Sequence, residues 1–326
     1  MKVAILSFAH MHALSYADAV QQSGVDLVIS DFDEARGREM ASRFNTPYVK
    51  DYQEVLADPD IEAVIVCSEN ASHAQLVIDA AEAGKHVLCE KPLATTVADA
   101  RRMIEACERA GVKLQTAFPI RYSTPVQRLK RLIESGKVGR ILAMSGTNRG
   151  QNPGGWFVDP ALSGGGAVFD HTVHILDIMR WYTGSEVSEV YAEVDSRFGE
   201  RGIDDCGLLT LTFANGVIAT HDPSWSRPKS FPTWGDVTLR VIGTGGVVSV
   251  DALAQNLVHY DDTDLRARRV PWGDDADLHM VQSFLDCVRY DTQPLATGVD
   301  GLKAVEVALA AYESARTKRP VQLPTC

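Results

Sequence analysis

Over its first 120 residues the chain alternates short apolar runs with segments of helical period, and this alternation constrains the fold most. Apolar runs at 3–6, 25–30, 61–67 (IEAVIVC), 86–89 and 113–117 read as buried strands. Between them, Leu14, Ala17 and Val20 recur at helical spacing, and Met40, Ala41 and Phe44 share one side of a segment over 35–44. Two further helices, 72–83 and 97–110, are stopped by Gly84 and Gly111. Strands that alternate with helices over short connections pair in parallel, with helices on both faces. The first half is therefore predicted to be a doubly wound parallel α/β sheet of Rossmann type. Ligands bind such sheets beyond the carboxyl ends of the strands.

After Arg121 the pattern changes. Helices are expected over 126–135 and 168–182, the second entered from the flexible SGGG at 163–166. Strand segments follow at 189–195, 207–213, 217–221, 237–243, 247–250 and 257–260, with ANG at 214–216 as a hairpin turn. Helices over 276–289 and 300–316 close the chain. This predicts two domains, 1–120 and 121–326, the second an α+β domain with a large, mostly antiparallel open sheet. Its strands need one face covered and its helices cover the other, so a homodimer or homotetramer assembled through that sheet is expected. A chain of 326 residues is long enough for two cores.

Charge and cysteine usage narrow the function. A net charge of −11 argues against nucleic-acid and anionic-membrane partners. No apolar run approaches the roughly 18–20 residues of a membrane span. Met1-Lys2-Val3 leads straight into a strand, leaving no room for a signal peptide. The six cysteines are scattered without a C-x-x-C pair, and Cys67 and Cys89 read as buried thiols, so a cytoplasmic enzyme is expected.

Four stretches fall where this fold places a site. The first turn holds Ser7, Phe8, Ala9, His10, Met11 and His12 where a dinucleotide fold carries G-x-G-x-x-G. Ser7 and Ala9 are small enough for the first two glycine positions if φ stays negative, and Ala13 can take the packing position. Helix-end N–H groups and the helix dipole bind phosphate without glycine. A plain strand–turn–helix is the competing reading. Asp31, at the end of the second strand, suits two ribose hydroxyls and repels a 2′-phosphate, or else caps a turn. Phe32 follows it, and Arg36 is expected to be solvated on the next helix.

Two strand ends, Ser68–Asn70 and Glu90–Pro92, reach the same edge. Lys91 precedes a proline, which biases it to an extended conformation, and a cation there can stabilise an alkoxide. Farther on, Asp170, His174 and Asp177 share a helix face, so that Asp170 can polarise His174 as a general base. Asp177 can equally be solvated or salt-bridged. Neither His171-x-x-His174-x-x-Asp177 nor His10-x-His12 is a recognised metal spacing, and no metal is expected.

Taken together, EAGKHVLCEKPLA (82–94), the upstream SENASHAQLV (68–77) and GGGAVFDHTVHILDIMRWYTG (164–184) resemble the glucose–fructose oxidoreductase/inositol dehydrogenase (Gfo/Idh/MocA) family. The resemblance runs to AVEVALAAYESARTKRPVQLP (304–324), essentially the whole chain. It implies NAD(H) or NADP(H), of which Asp31 favours NAD, and oxidation of a secondary alcohol of a sugar, polyol or inositol-like substrate. The family's catalytic lysine, aspartate and histidine fall on Lys91, Asp170 and His174. Its nicotinamide-side and ribose contacts fall on Ser68, Asn70, His73, Glu90 and Pro92. Arg121, Tyr122, Trp156, His171 and Trp225 are candidates for the substrate wall. The chain departs from the family in its glycine-poor first turn and in His171-Thr172, where many relatives have an apolar residue and glycine. An enzyme that recycles bound NAD (a hydrolase, lyase or epimerase) and a non-catalytic cofactor-binding protein are the alternatives.

Overall fold

In the computed structural model, which describes residues 1–199, 202–231, 233–263, 265–271 and 273–324, the chain divides into two units. The first comprises Met1–Pro119, Ala161–Gly164 and Ala276–Val305. Its strands are β1 (Lys2–Leu6), β2 (Asp26–Ser30), β3 (Tyr48–Val49), β4 (Ile61–Val66), β5 (His86–Cys89) and β6 (Leu114–Thr116). They alternate with α1 (Ala13–Gln22), α2 (Glu34–Phe44), α3 (Tyr52–Ala57), α4 (His73–Glu82) and α5 (Val97–Ala110). All six strands pair in parallel in the order β3-β2-β1-β4-β5-β6. Strand order reverses between β1 and β4, the switch point at which doubly wound sheets open a ligand crevice. Gly84 and Gly111 stop α4 and α5 with φ of +73° and +68°, a conformation that costs glycine little. The short β3 and α3 carry too few apolar residues to show in the sequence pattern.

The second unit comprises Ile120–Pro160, Gly165–Asp275 and Glu306–Cys326, described to residue 324; Cys326 lies outside the described residues. In chain order its elements are α6 (Thr124–Glu134), β7 (Ile141–Arg149), then, after α7 (Pro160–Ser163), which falls mostly in the first unit, α8 (Ala167–Thr183), β8 (Val187–Asp195), β9 (Cys206–Phe213), β10 (Ile218–Asp222), β11 (Asp236–Gly243), β12 (Gly246–Asp251), β13 (Asn256–Asp261) and β14 (Arg266–Pro271). Helix α9 (Ala276–Tyr290) returns to the first unit, α10 (Gly298–Thr317) begins there, and β15 (Val321–Gln322) ends the chain.

Seven strands form one sheet in the order β12-β11-β7-β10-β9-β8-β15. It is mixed rather than uniformly antiparallel, because β10 runs parallel to β7. Strand β7, central in the sheet, escapes the sequence reading because its second half is Ser145-Gly146-Thr147-Asn148-Arg149. Gly146 is required there: a side chain would strike Ile175 and Met179 of α8. Strands β13 and β14 form a separate two-stranded ribbon, so 257–260 does not extend the large sheet. The core lies between one sheet face (Met144, Val190, Leu209, Leu211, Ala219, Leu239) and α8 (Ile175, Leu176, Met179). Leu142, Leu208, Ile218 and Val247, from four of its strands, are exposed.

Candidate functional site

The opening turn departs from expectation at Ser7. Its φ is +72°, the left-handed conformation in which the first glycine of the usual fingerprint is at ease. The hydroxyl offsets part of that strain, since Ser7 Oγ accepts from Ala9 N at 3.2 Å and from Arg36 Nη2 at 3.3 Å. Neighbouring amides are also engaged: Phe8 N donates to Asp31 Oδ2 at 2.8 Å, and His10 N to Cys67 O at 2.9 Å. Met11 is exposed.

Asp31 is buried at the carboxyl end of β2 and accepts from Phe8 N and Asp33 N. Arg36 is not solvated as expected. Its Nε and Nη2 bind Asp31 Oδ2 and Oδ1 at 2.7 and 2.8 Å, because the first turn of α2 folds the side chain back over the strand end. A small cavity beside this pair is lined by Ser7, Ser30, Asp31, Phe32 and Lys50.

The ends of β4 and β5 are joined through His73. Fully buried, it faces Pro92 O with Nδ1 at 3.0 Å and Ser68 O with Nε2 at 3.2 Å, and burial pushes it below the usual histidine range. Asn70 Nδ2 donates to Ser163 O at 2.8 Å. Lys91 is buried, and its backbone N–H donates to Glu90 Oε2 at 2.9 Å.

Glu90 connects this edge to the opening turn. Its Oε1 lies 2.9 Å from His12 Nδ1 and 3.8 Å from His10 Nδ1, and accepts from Tyr16 OH at 2.5 Å. Burial opposes ionisation of Glu90, yet His10, His12 and Lys91 hold its carboxyl well below the usual range. Burial also works against a charged His12, but Glu90 outweighs it and raises the ring. His12 and Tyr16 were not singled out from sequence as ligands. Their partner is over 70 residues away, and only the i, i+4 spacing from the residue that caps α1 to Tyr16 in its first turn hinted that the two share a face.

In the second unit, α8 presents Asp170, His171 and His174, all buried. Asp170 Oδ2 accepts from Trp225 Nε1 at 3.4 Å and lies 3.3 Å from His171 Nε2. His171 Nδ1 faces Pro223 O at 3.0 Å, so the ring is held between that carbonyl and the Asp170 carboxylate. Asp177 is ion-paired and buried: Arg121 Nε and Nη2 reach its two oxygens at 2.6 Å. That guanidinium also stacks on Trp181. Tyr122 is buried, and Trp156 is half-buried and stacked on Phe157.

Residues invisible as functional in the sequence hold the start of α8. Asp204 Oδ1 and Oδ2 accept from Gly166 N and Val168 N at 2.9 and 2.8 Å, and Tyr312 OH donates to Asp204 Oδ1 at 2.8 Å. Tyr312 OH also accepts from Gly166 N at 3.0 Å. Side chains at Gly165 and Gly166 would collide with Tyr312 and Asp204, so the glycines let this latch close on the helix start.

Comparison with known proteins identifies the family to which both halves of the chain are similar. Residues 5–118 match an oxidoreductase family with an NAD-binding Rossmann fold, and residues 126–249 match the GFO/IDH/MocA C-terminal domain. The chain is 33% identical over 306 residues to a myo-inositol 2-dehydrogenase of Thermotoga maritima, covering 90% of each chain. Among solved structures, GenD2 of gentamicin A biosynthesis, in complex with NAD, superposes with a TM-score of 0.92 at 27% identity, covering 100% of this chain and 97% of that one. A levoglucosan dehydrogenase with NADH and levoglucosan superposes with a TM-score of 0.85 at 25% identity, covering 100% of both. Among the described residues no helix is long and apolar enough to cross a membrane.

Proposed function

The chain belongs to the Gfo/Idh/MocA oxidoreductase family, and we propose that it oxidises a secondary alcohol of a sugar, polyol or inositol-like substrate with NAD. The observation that carries this reading is Lys91, buried at the carboxyl end of β5 with its backbone tied to Glu90. The residues at this edge fit NAD: Asp31 is buried at the end of β2, the strand next to β1, and the strand order reverses between β1 and β4. When bound, NAD supplies the hydride acceptor.

In this proposal His174 takes the substrate hydroxyl proton and Lys91 stabilises the developing alkoxide. Asp170, held by Trp225 and His171, orients His174 or a neighbouring hydroxyl. His171, Trp225 and Trp156 line the substrate, while Arg121 and Tyr122 support that wall, Arg121 through its pair with Asp177. Ser7 to Met11, Ser68, Asn70, His73, Glu90 and Pro92 shape the cofactor side. Cofactor binding thus falls to residues 1–120, and substrate binding and self-association to 121–326. The exposed Leu142, Leu208, Ile218 and Val247 support a homodimer or homotetramer assembled on the large sheet. The five cysteines among the described residues, none of them in a disulfide, support a cytoplasmic location.

The test is NADH formation, followed by absorbance, with NAD and a panel of polyols and sugars. Lys91→Ala and His174→Ala should each lower kcat about 10²–10⁴-fold. NAD affinity should be nearly unchanged in His174→Ala. A fully active His174→Ala enzyme would assign the base elsewhere, His171 first. Product without net NADH would favour the recycling enzyme.

A further inference from the structure

His10, His12 and Glu90 bring three ligand atoms within 4.8 Å of one another. Two imidazoles come from the opening turn and the carboxylate from the end of β5, so no sequence spacing announces the set. We propose that these three side chains form a binding site for one divalent transition cation of zinc type.

Geometry, donor chemistry and charge support it. Zinc binds histidine nitrogen and carboxylate oxygen at about 2.0–2.2 Å, which places tetrahedral donors roughly 3.3 Å apart. Glu90 Oε1 stands 2.9 Å from His12 Nδ1 and 3.8 Å from His10 Nδ1, bracketing that spacing. The two rings meet edge to face with centroids 4.5 Å apart, close enough to share one ion. Two nitrogens and one oxygen favour zinc, cobalt or nickel over magnesium or calcium, which take oxygen. Glu90 is wholly buried and Asp277 acts electrostatically on His12, so a cation taken up in exchange for the protons of the two rings faces two carboxylates as well as the Lys91 ammonium. Tyr16 OH, bound to Glu90, orients the carboxylate as an outer partner. Among the contacts a cation would replace are the His12–Glu90 hydrogen bond, the Tyr16 OH contact to His12 Nδ1 at 3.4 Å and the bond from His12 N to His10 Nδ1. A site with three protein ligands leaves a coordination position for a further oxygen or nitrogen donor.

The experiment uses full-length protein without a histidine tag, stripped with chelator and then dialysed against Zn²⁺ or Co²⁺ in the absence of NAD. Expected is one equivalent bound, with Co²⁺ giving visible ligand-field bands of a low-coordinate site. His12→Gln replaces the most accessible ligand and should weaken binding about 100-fold or more. His12→Cys, which restores a zinc donor, should recover part of it. Circular dichroism establishes that both variants are folded. Absence of binding at about 100 μM free cation overturns the proposal. So does equal affinity in wild type and a folded His12→Gln protein, which would mark adventitious surface binding. NAD binding is measured separately, so failure here leaves the dehydrogenase reading to its own test.

Discussion

The Arg36 guanidinium grips both oxygens of the Asp31 carboxylate, Nε to Oδ2 at 2.7 Å and Nη2 to Oδ1 at 2.8 Å. A carboxylate at the end of β2 repels a 2′-phosphate, but here its charge is half-answered by a cation on the next helix. Discrimination between NAD and NADP should therefore be modest, about tenfold in favour of NAD. Removing the carboxylate with Asp31→Ala should close the gap, and removing the cation with Arg36→Ala should widen it. Dissociation constants from fluorescence quenching decide, and tighter NADP binding by the wild type would contradict the expectation.

Ser7 occupies a conformation that side chains avoid, with φ at +72°. Ser7→Gly removes the backbone strain and also the Oγ contacts to Ala9 N and Arg36 Nη2. Ser7→Ala loses the contacts and keeps the strain. The alanine variant should thus be less stable than the glycine variant by about 1–2 kcal/mol. Urea unfolding of the two proteins measures the difference directly.

Asp204 and Tyr312 cap α8 as a pair, and Tyr312 OH bonds to Asp204 Oδ1 at 2.8 Å. Asp204→Ala leaves Gly166 N and Val168 N without that acceptor and should cost about 1–2 kcal/mol. Tyr312→Phe should cost about 1 kcal/mol. Because they share one network, the double variant should lose less than the two losses combined, by at least about 0.5 kcal/mol. Thermal denaturation of all four proteins completes the cycle, and strict additivity would show that the two act separately.

His221 is buried against Gly146 O, which faces its Nδ1 at 3.3 Å, and burial lowers its pKa from 6.5 to about 4. The unfolded ring takes up a proton near pH 6.5 while the folded ring resists until about pH 4. Between those values the unfolded state binds more protons, so stability is full above the window and falls as pH falls through it. The loss attributable to this residue should reach about 3 kcal/mol. His221→Asn, which can still donate to Gly146 O, should show a flatter profile of unfolding free energy from pH 7 to pH 4.5. Parallel profiles would mean that His221 is not the group responsible.

What the sequence disclosed was local. Runs such as IEAVIVC announce buried parallel strands because a strand covered on both faces has no polar alternation to hide it. β7 was missed for the opposite reason: its buried positions include Gly146 and Asn148, chosen by the close approach of α8 and by bonding to the Asp236 carbonyl. At the candidate site, Lys91, Asp170 and His174 were legible from motif resemblance. The groups that hold their surroundings were not, since Glu90 meets His12 and Asp204 meets Tyr312 only after distant segments are folded together. Arg36 illustrates a third case. On a helix surface it reads as solvated, and only the geometry of the preceding turn brings it back onto Asp31.

The first unit is not finished when its sixth strand is made. Helix α9 packs on α1, Ser15 Oγ reaches Asp277 Oδ2 at 2.6 Å, and Thr116 N on β6 bonds to Ala296 O at 3.0 Å. On the ribosome, the nucleotide-binding half must therefore wait, with α1 uncovered, through the synthesis of more than a hundred intervening residues. A fragment cut after residue 120 would carry that bare helix permanently and should associate through it or aggregate. A circular permutant that places 276–305 ahead of Met1 would release the half from its wait.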